Sequence, residues 1–128
     1  MKVACGVDLS KKSLVASIYN GRSFETRAFE AHDEGCERFK EWLRQRKCRN
    51  IAMESTGVLW TPLYLTLEDR FRPMLVNAYH VKHIPGKKTD QKDSEWLAQL
   101  LRSCLIKPSY VPEKPIRNLR ELTRTRVK

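Results

Sequence analysis

Four acidic residues of this chain stand where carboxylates could act together. Asp8 ends the apolar run VACGVD, Glu54 ends the run IAME, and Asp90 and Asp93 precede the helical pattern in KTDQKDSEWLAQLL. Hard divalent cations such as Mg²⁺ take carboxylate oxygens as ligands and share their coordination with substrate phosphates. Two such ions about 3.5–4 Å apart activate an attacking oxygen and stabilise a leaving one in phosphodiester displacement. The residue types point to that chemistry, provided that the fold brings the four together.

Each acid also has a structural interpretation, which the sequence leaves open. Asp8 can be a turn residue at a strand end, Asp90 the N-cap of the next helix, and Asp93 an acid that favours the helix dipole. Glu54 has no such duty after an apolar strand. Four carboxylates at one point would repel one another and raise one another's pKa values unless a cation lay between them. A shared position would therefore itself indicate a metal site.

The first thirty residues predict three consecutive antiparallel strands. KVACGVDLS is a nearly continuous apolar run, as in a central strand covered on both faces. SLVASIYN and SFETRAFEA follow, and the Asn-Gly pair between them is a strong hairpin signal. Asp33 is then predicted to cap a charged helix whose single apolar face is formed by Cys36, Phe39, Trp42 and Leu43.

The rest of the pattern alternates strands and helices. NIAMEST and RPMLVNA are predicted strands, and LWTPLYLTLEDRF between them is a predicted helix with Pro62 in its first turn. YHVKHIPGKKT is predicted to be a loop with at most one helical turn. Residues 90–105 are predicted to form a helix whose apolar side carries Trp96, Leu97, Leu100, Leu101 and Cys104.

Right-handed crossovers place the fourth and fifth strands parallel to the first. The predicted fold class is therefore α/β, a ribonuclease H-like five-stranded mixed sheet flanked by helices on both faces. In such a sheet ligands gather at the carboxyl ends of the parallel strands. Asp8 and Glu54 would lie side by side there, and a helix starting near Asp90 would add Asp90 and, one turn later on the same face, Asp93.

The composition bounds the class of protein and its partners. The chain has 128 residues, of which 41% are apolar, and a net charge of +10 from 25 basic and 15 acidic side chains. This excess favours a polyanionic partner, most commonly nucleic acid. No apolar stretch approaches the roughly 18 residues of a membrane span, and no export signal precedes the first strand. The four cysteines form no CxxC pair, so we expect reduced thiols in a cytoplasmic protein without a membrane partner.

Three blocks carry a family resemblance: GVDLSKKSLVASIYN, MESTGVLWTPL and KTDQKDSEWLAQLL. In this order they resemble the N-terminal domain of the DEDD-type insertion-sequence transposases, recombinases with a RuvC-like domain, and the resemblance extends over nearly the whole chain. It implies, by motif, that Asp8, Glu54, Asp90 and Asp93 are the catalytic, metal-binding tetrad, with Mg²⁺ or Mn²⁺ as cofactor. The family usually has Ala where this chain has Ser94, a departure that touches no ligand.

The resemblance also implies an activity and an architecture. Family members cleave and exchange DNA strands during transposition of an insertion sequence, and they carry a C-terminal domain with a serine proposed as the nucleophile. Residues 1–106 are accordingly expected to form the RuvC-like catalytic domain. Residues 107–128 contain three prolines and seven basic residues against two acidic ones. They are expected to be a linker and the start of a basic helical segment leading to that second domain, in a longer protein.

The expected partner is DNA. Some relatives are guided to DNA by a structured RNA of the element, so RNA is a second implied partner. The full-length protein is expected to act as a homo-oligomer in the prokaryotic cytoplasm, associated with the nucleoid when DNA is bound. Basic residues near the acids and in the final segment are expected to contact phosphates, although a solvated surface also explains them. These residues are Lys11, Lys12, Lys87, Lys88, Lys92, Arg117, Arg120 and Arg124, with Lys82 as a further lysine near the acids.

Three other functions stay open from the sequence. A stand-alone Holliday-junction resolvase-like nuclease would use the same fold and acids without a second domain. An actin-like or sugar-kinase-like nucleotide-binding half would match GVDLSKKS, but its phosphate loop favours glycine after the acid, where this chain has Leu9 and then Lys11. A non-catalytic nucleic-acid-binding or dimerisation module would leave the carboxylates dispersed. The separation of Asp8 and Glu54 distinguishes this module from the nucleases.

Overall fold

One mixed sheet organises the computed structural model, which describes residues 1–54 and 59–106. Its strands are β1 (Ala4–Leu9), β2 (Ser13–Tyr19), β3 (Phe24–Glu30), β4 (Asn50–Glu54) and β5 (Arg72–Val76). They lie in the order β3-β2-β1-β4-β5. β2 is antiparallel to β1 and β3, whereas β4 is parallel to β1 and β5. The predicted five-stranded mixed sheet is confirmed, with β1 at its centre.

The turn between β2 and β3 is the predicted hairpin. Gly21 has a φ of +96°, a left-handed conformation that glycine adopts without steric cost. The side-chain oxygen of Asn20 accepts hydrogen bonds from the backbone amides of Arg22 and Ser23, at 2.8 and 2.9 Å. The Asn-Gly pair thus supplies both the turn geometry and the acceptor for the turn amides.

Helices cover both faces of the sheet in the described part of the chain. They are α1 (Asp33–Gln45), α2 (Trp60–Leu67), α3 (Ala78–Lys82) and α4 (Asp93–Arg102). One face packs against α1 and α2 through a buried cluster that includes Phe39, Trp42, Leu43, Leu63 and Leu67. The other face packs against α3 and α4 through a second cluster that includes Val81, Trp96, Leu97, Leu100 and Leu101.

The alternation of side chains along the central strands decides which face carries the acids. In β1, Ala4 is buried against α4, so Asp8, four residues further on, belongs to the same face. In β4, Ala52 is buried on this face, and Glu54 follows two residues later. Both carboxylates therefore lie on the α4 side, where their strands end.

A glycine lets α4 lie directly on β1. A Cβ atom at Gly6 would overlap the carbonyl oxygen of Ser94 and lie 2.5 Å from the amide nitrogen of Ala98. Because both atoms belong to the helix backbone, no side chain fits at Gly6 without displacing α4. The close approach places the first turn of α4 directly over Gly6, two residues before Asp8.

The start of α4 differs from the prediction. The helix begins at Asp93, and its N-cap is Lys92, whose backbone amide donates to the side chain of Glu95 at 3.2 Å. Asp90 lies in a turn before the helix, so it is neither the N-cap nor on one helical face with Asp93. The predicted start at residue 90 was therefore wrong: the chain turns at residues 89–90 and becomes helical at Asp93, where the side chain of Glu95 accepts from the backbone amide of Lys92.

Two other helix boundaries also differ. The N-cap of α1 is His32, whose Nδ1 accepts a hydrogen bond from the amide of Gly35 at 3.3 Å, while Asp33 is the first residue of the helix. α4 ends at Arg102, earlier than predicted, because Cys104 has a φ of +59°, outside the helical region.

The segment between β5 and α4 contains α3, in agreement with the prediction of at most one helical turn. Its cap is Asn77, whose side-chain oxygen accepts from the amide of His80 at 3.2 Å. None of the described helices is long and apolar enough to cross a bilayer. The predicted linker and basic segment, residues 107–128, lie outside the described residues.

Candidate active site at the carboxyl ends of β1 and β4

Asp8 and Glu54 lie on adjacent parallel strands. The register pairs Gly6 with Ala52 and Val7 with Met53. Asp8 and Glu54 are the next residues of the two strands, one position beyond the last pair. Neighbouring strands are about 4.8 Å apart, so the two carboxylates begin from adjacent backbone positions. Both line one cavity of about 210 Å³, whose other walls include Trp60. The geometry is not that of dispersed carboxylates.

Asp93 joins these two from the helix. As the first residue of α4 it lines a second cavity, of about 390 Å³, together with Asp8, Lys92 and Ser94. Asp8 is common to the two cavities, which therefore adjoin at its side chain. Glu54 and Asp93 each share a cavity with Asp8, and these two adjoining cavities together form one cleft.

The charges of the three acids act on one another. Partial burial raises the pKa of Asp8, and the negative charge of Asp93 raises it further. Burial likewise raises the pKa of Glu54, and the charges of Asp93 and then Asp8 add to the effect. Asp8 and Glu54 are thus both harder to ionise, and a bound cation would relieve this effect.

Two lysines oppose this repulsion. Lys87 forms an ion pair with Asp93 and lowers the pKa of both Asp8 and Glu54 against the larger upward effects. Lys82, the last residue of α3, acts in the same direction on Glu54. The cleft therefore holds three acids and two nearby ammonium groups, a mixture that suits phosphate and metal ligands together.

Asp90 is not brought to the other three acids. It lines a different cavity, of about 370 Å³, between the β2–β3 hairpin and α4, with Arg22, Lys88 and Glu95 among its neighbours. Because α4 begins at Asp93, the residue three positions earlier follows the path of the preceding turn. In residues 1–54 and 59–106, no three His, Cys, Asp or Glu side chains are close enough to hold a metal ion.

The donor set nonetheless fits a hard divalent cation. Asp8, Glu54 and Asp93 are not all within shared-metal distance in this structure, but all three are carboxylates, and two of them come from the ends of strands, where the backbone holds them in place. Oxygen ligands of this kind, few in number and open on one side, match Mg²⁺ or Mn²⁺, which retain water and accept substrate phosphates. The residues could also hold the two ions of a phosphodiester-transfer site once a fourth carboxylate is added.

The predicted nucleic-acid contacts fall in several places. Lys87 and Lys92 lie at the acids, and Lys88 lies at the cavity of Asp90. Lys11 and Lys12 are exposed in the turn between β1 and β2, just beyond the end of β1. The other three, Arg117, Arg120 and Arg124, lie outside the described residues.

The sequence patterns gave no role to two residues beside the site, Gly6 and Ser17. Gly6 admits the helix backbone, and the signal for it was a lone glycine inside an apolar strand, which marks a close approach. Ser17 is fully buried and bonds to Ser94 across the sheet–helix contact. No local pattern marks a serine in a strand for such a partner 77 residues away.

The fold and the cleft define the chain as a RuvC-like, ribonuclease H-like domain. Its structure is similar to that of T. thermophilus RuvC in complex with a Holliday junction substrate, with a TM-score of 0.59 and 11% identity, covering 85% of this chain and 100% of that one. A Fowlpox virus resolvase in complex with Holliday junction DNA aligns at a TM-score of 0.43 and 11% identity, over 68% of this chain and 65% of that chain.

The sequence identifies the family. The DEDD_Tnp_IS110 transposase model matches residues 5–128, and the chain therefore belongs to this family of transposases. Comparison with curated proteins gives no significant match. The predicted resemblance and the RuvC-like fold are confirmed, and the chain is a nuclease/recombinase catalytic domain of a transposase. The stand-alone resolvase explains these findings no better.

Proposed function

We propose that Asp8, Glu54 and Asp93 bind divalent metal, Mg²⁺ in the cell, and that Asp90 completes the tetrad when nucleic acid binds. The site would then cleave and exchange DNA strands during transposition of an insertion sequence. One observation carries the proposal. Three carboxylates from β1, β4 and α4 border one cleft, where partial burial and then the charge of Asp93 raise the pKa values of Asp8 and Glu54.

The roles of the acids follow from the elements that hold them. Asp8 and Glu54 stand at the ends of central strands, so their backbone positions are fixed before any ligand arrives. Asp93 stands at the first position of a helix packed on β1, where a negative charge interacts favourably with the helix dipole. Bound metal would activate the attacking oxygen and offset charge on the scissile phosphate.

Asp90 needs a local rearrangement to reach the cleft. Three residues of extended chain span at most about 10 Å, so Asp90 always remains within that reach of Asp93. A change in the short segment between α3 and α4 would bring its carboxylate towards the cleft without moving the sheet. Phosphates bound by Lys87 and Lys88 on the same segment would supply the driving force for this change.

Lys87 is proposed to exchange partners as the site fills. Without a ligand its ammonium group pairs with Asp93. A phosphate of the substrate would compete for this ammonium group while the metal takes the carboxylate, so that both charges stay compensated. The lysine would thereby lower the cost of keeping the acids together in the free protein.

The partners are proposals as well. DNA is the substrate expected of the family, and the net charge of +10 supports a polyanionic partner. A structured guide RNA is the second proposed partner, on the strength of the resemblance in the three motif blocks. Exchange of strands between two duplexes requires more than one cutting site, which supports a homo-oligomer. We place this activity in the prokaryotic cytoplasm, at the nucleoid.

Metal binding tests the proposal directly. We expect Mn²⁺, followed by its electron paramagnetic resonance signal, to bind the wild type, and Asp8→Asn and Glu54→Gln to weaken this binding at least tenfold while both variants stay folded. In the full-length transposase the same two substitutions should abolish recombination. The control is Glu34→Gln, an exposed acid of α1 paired with Arg38 at 4.0 Å, which should bind as the wild type does. Unchanged Mn²⁺ affinity in Asp8→Asn would remove the assignment.

A further inference from the structure

Two hydroxyl groups are buried where the rest of the described core is apolar. Ser17 is 0% exposed and Ser94 is 1% exposed, and they are the polar side chains of the buried core within residues 1–54 and 59–106. Their Oγ atoms lie 2.8 Å apart. Ser17 Oγ also lies 2.7 Å from Oγ1 of Thr26 on β3, so the three hydroxyl groups form one chain of hydrogen bonds.

The bond joins the sheet to α4 next to the proposed ligands. Ser17 is opposite Gly6 in the register of β1 and β2, two residues before Asp8. Ser94 directly follows Asp93, and its carbonyl oxygen packs on Gly6. The hydroxyl pair therefore lies beneath the two carboxylates that come from different elements, Asp8 from a strand and Asp93 from a helix.

Apolar packing alone would hold α4 less specifically at this point. The buried leucines and Trp96 of α4 follow Ser94 in the chain and pack the later turns of the helix against the sheet. Such contacts are not directional, whereas a buried hydrogen bond has one favourable geometry and leaves two costly unpaired groups if the helix slides. Among the described residues, the other side-chain hydrogen bonds of the first turn of α4 run to residues at most six positions away in sequence, from Lys87 to Asp93 and from the Lys92 amide to Glu95. The Ser17–Ser94 bond is the one to the sheet.

We propose that Ser17 and Ser94 are positioning residues that set the carboxylate of Asp93 against that of Asp8. The inference rests on the proposed metal site and goes beyond it, because neither serine touches the metal or the substrate. Their hydroxyl groups act through the placement of the first turn of α4. Removing them moves Asp93 out of register with Asp8 while the fold stays intact.

The test separates stability from metal affinity in the full chain. Ser17→Ala leaves the hydroxyl groups of Ser94 and Thr26 without this partner, so it should melt roughly 5 °C lower than the wild type. The double variant Ser17→Ala/Ser94→Ala leaves no unpaired hydroxyl between strand and helix, so its melting temperature should recover in part. We expect its Mn²⁺ affinity to stay about tenfold weaker than that of the wild type, as for other residues that orient metal ligands.

Thr26→Val is the matched control, because it removes the outer hydroxyl group of the same chain without touching α4. It should lower the melting temperature and leave the Mn²⁺ affinity unchanged. The inference is overturned if the double variant binds Mn²⁺ as tightly as the wild type, or if Thr26→Val loses affinity in proportion to its stability. If Asp8→Asn instead binds Mn²⁺ as tightly as the wild type does, the proposed metal site is overturned, and the positioning role with it.

Discussion

At the scale of single residues, the carboxylates of Asp8 and Glu54 oppose folding when they are ionised. Asp8 is exposed and Glu54 is half-buried, yet protein atoms around both remove part of their water, and Asp93 adds its charge. Residues that weaken a fold in this way persist where they bind something. Carboxylates at these positions suit a metal ligand, whereas the stability of the isolated domain does not require them.

The sign of their effect on stability can be measured. The ordinary pKa values of Asp8 and Glu54 are 3.8 and 4.5, and both are raised in the folded chain. A raised carboxyl pKa means that the contribution to stability is complete below the ordinary value and is lost as the pH rises through the folded value. The pKa of Glu25 is lowered by its hydrogen bonds to Arg46, so Glu25 contributes to stability in the opposite direction. The pH dependence of the wild-type stability alone therefore mixes both effects.

The prediction therefore concerns a difference between variants. In the presence of EDTA, Asp8→Asn and Glu54→Gln should unfold with a free energy equal to that of the wild type near pH 4 and about 0.5–1 kcal/mol higher at pH 7, a small gain because solvent and salt screen both groups. Chemical denaturation across this pH range checks it.

Saturating Mg²⁺ should stabilise the wild type by about 2.7 kcal/mol at one hundred times its dissociation constant, and the variants much less. Lower stability of both variants at pH 7 in EDTA would contradict the prediction.

At the scale of elements, the sheet could be read from the sequence and the start of α4 could not. Apolar runs, one Asn-Gly turn and the handedness of crossovers determine the strands, and these are local signals. Before α4 the segment TDQKD offers Thr89, Asp90 and Asp93 as capping residues, but the N-cap is Lys92, a type that capping preferences do not favour. The hydrogen bond from the Lys92 amide to Glu95, together with the packing of the first turn on the distant Gly6, decides the boundary and with it the location of Asp90.

Because Asp93 is the first residue of α4, its carboxylate could stabilise the helix dipole, bind metal, or do both. Asp33 provides a matched comparison, because it is the first residue of α1 just as Asp93 is the first residue of α4. Loss of a negative charge at either position should lower the free energy of unfolding by about 0.3–1 kcal/mol, through the helix dipole. Asp93→Asn should therefore lose no more stability in EDTA than Asp33→Asn, because it also relieves the repulsion of Asp8 and Glu54 by Asp93, and thermal unfolding checks this.

Only Asp93→Asn should weaken Mn²⁺ binding, by at least tenfold, whereas Asp33→Asn should bind as the wild type does. Loss of the exposed ion pair between Asp93 and Lys87 changes the stability of Asp93→Asn little, because such pairs are worth at most about 1 kcal/mol. Equal Mn²⁺ affinities in the two variants would leave Asp93 with the structural role alone.

At the scale of the whole molecule, the two faces of the sheet have different tasks. The face covered by α1 and α2 carries the larger buried cluster, whereas the acids lie on the α4 side together with Lys87, Lys88 and Lys92. Within residues 1–54 and 59–106, one edge of the sheet thus combines the ends of parallel strands with neighbouring carboxylates and ammonium groups. Nucleic acid is expected to approach this edge, so the effect of a lost positive charge should depend on its face.

Salt dependence gives this expectation a number. For duplex DNA each neutralised phosphate contributes about −0.9 to the slope of log affinity against log salt concentration. Lys88→Ala and Lys92→Ala, at the cavities of Asp90 and of Asp93, should each weaken DNA binding and reduce the magnitude of the slope by about 1. Lys40→Ala is the control, because Lys40 pairs with Glu37 at 2.9 Å on α1, across the sheet from α4. Fluorescence anisotropy titrations between roughly 50 and 300 mM salt check the slopes. If Lys40→Ala changed the slope as much as the other two, binding would follow net charge alone and the edge at the acids would have no special part in it.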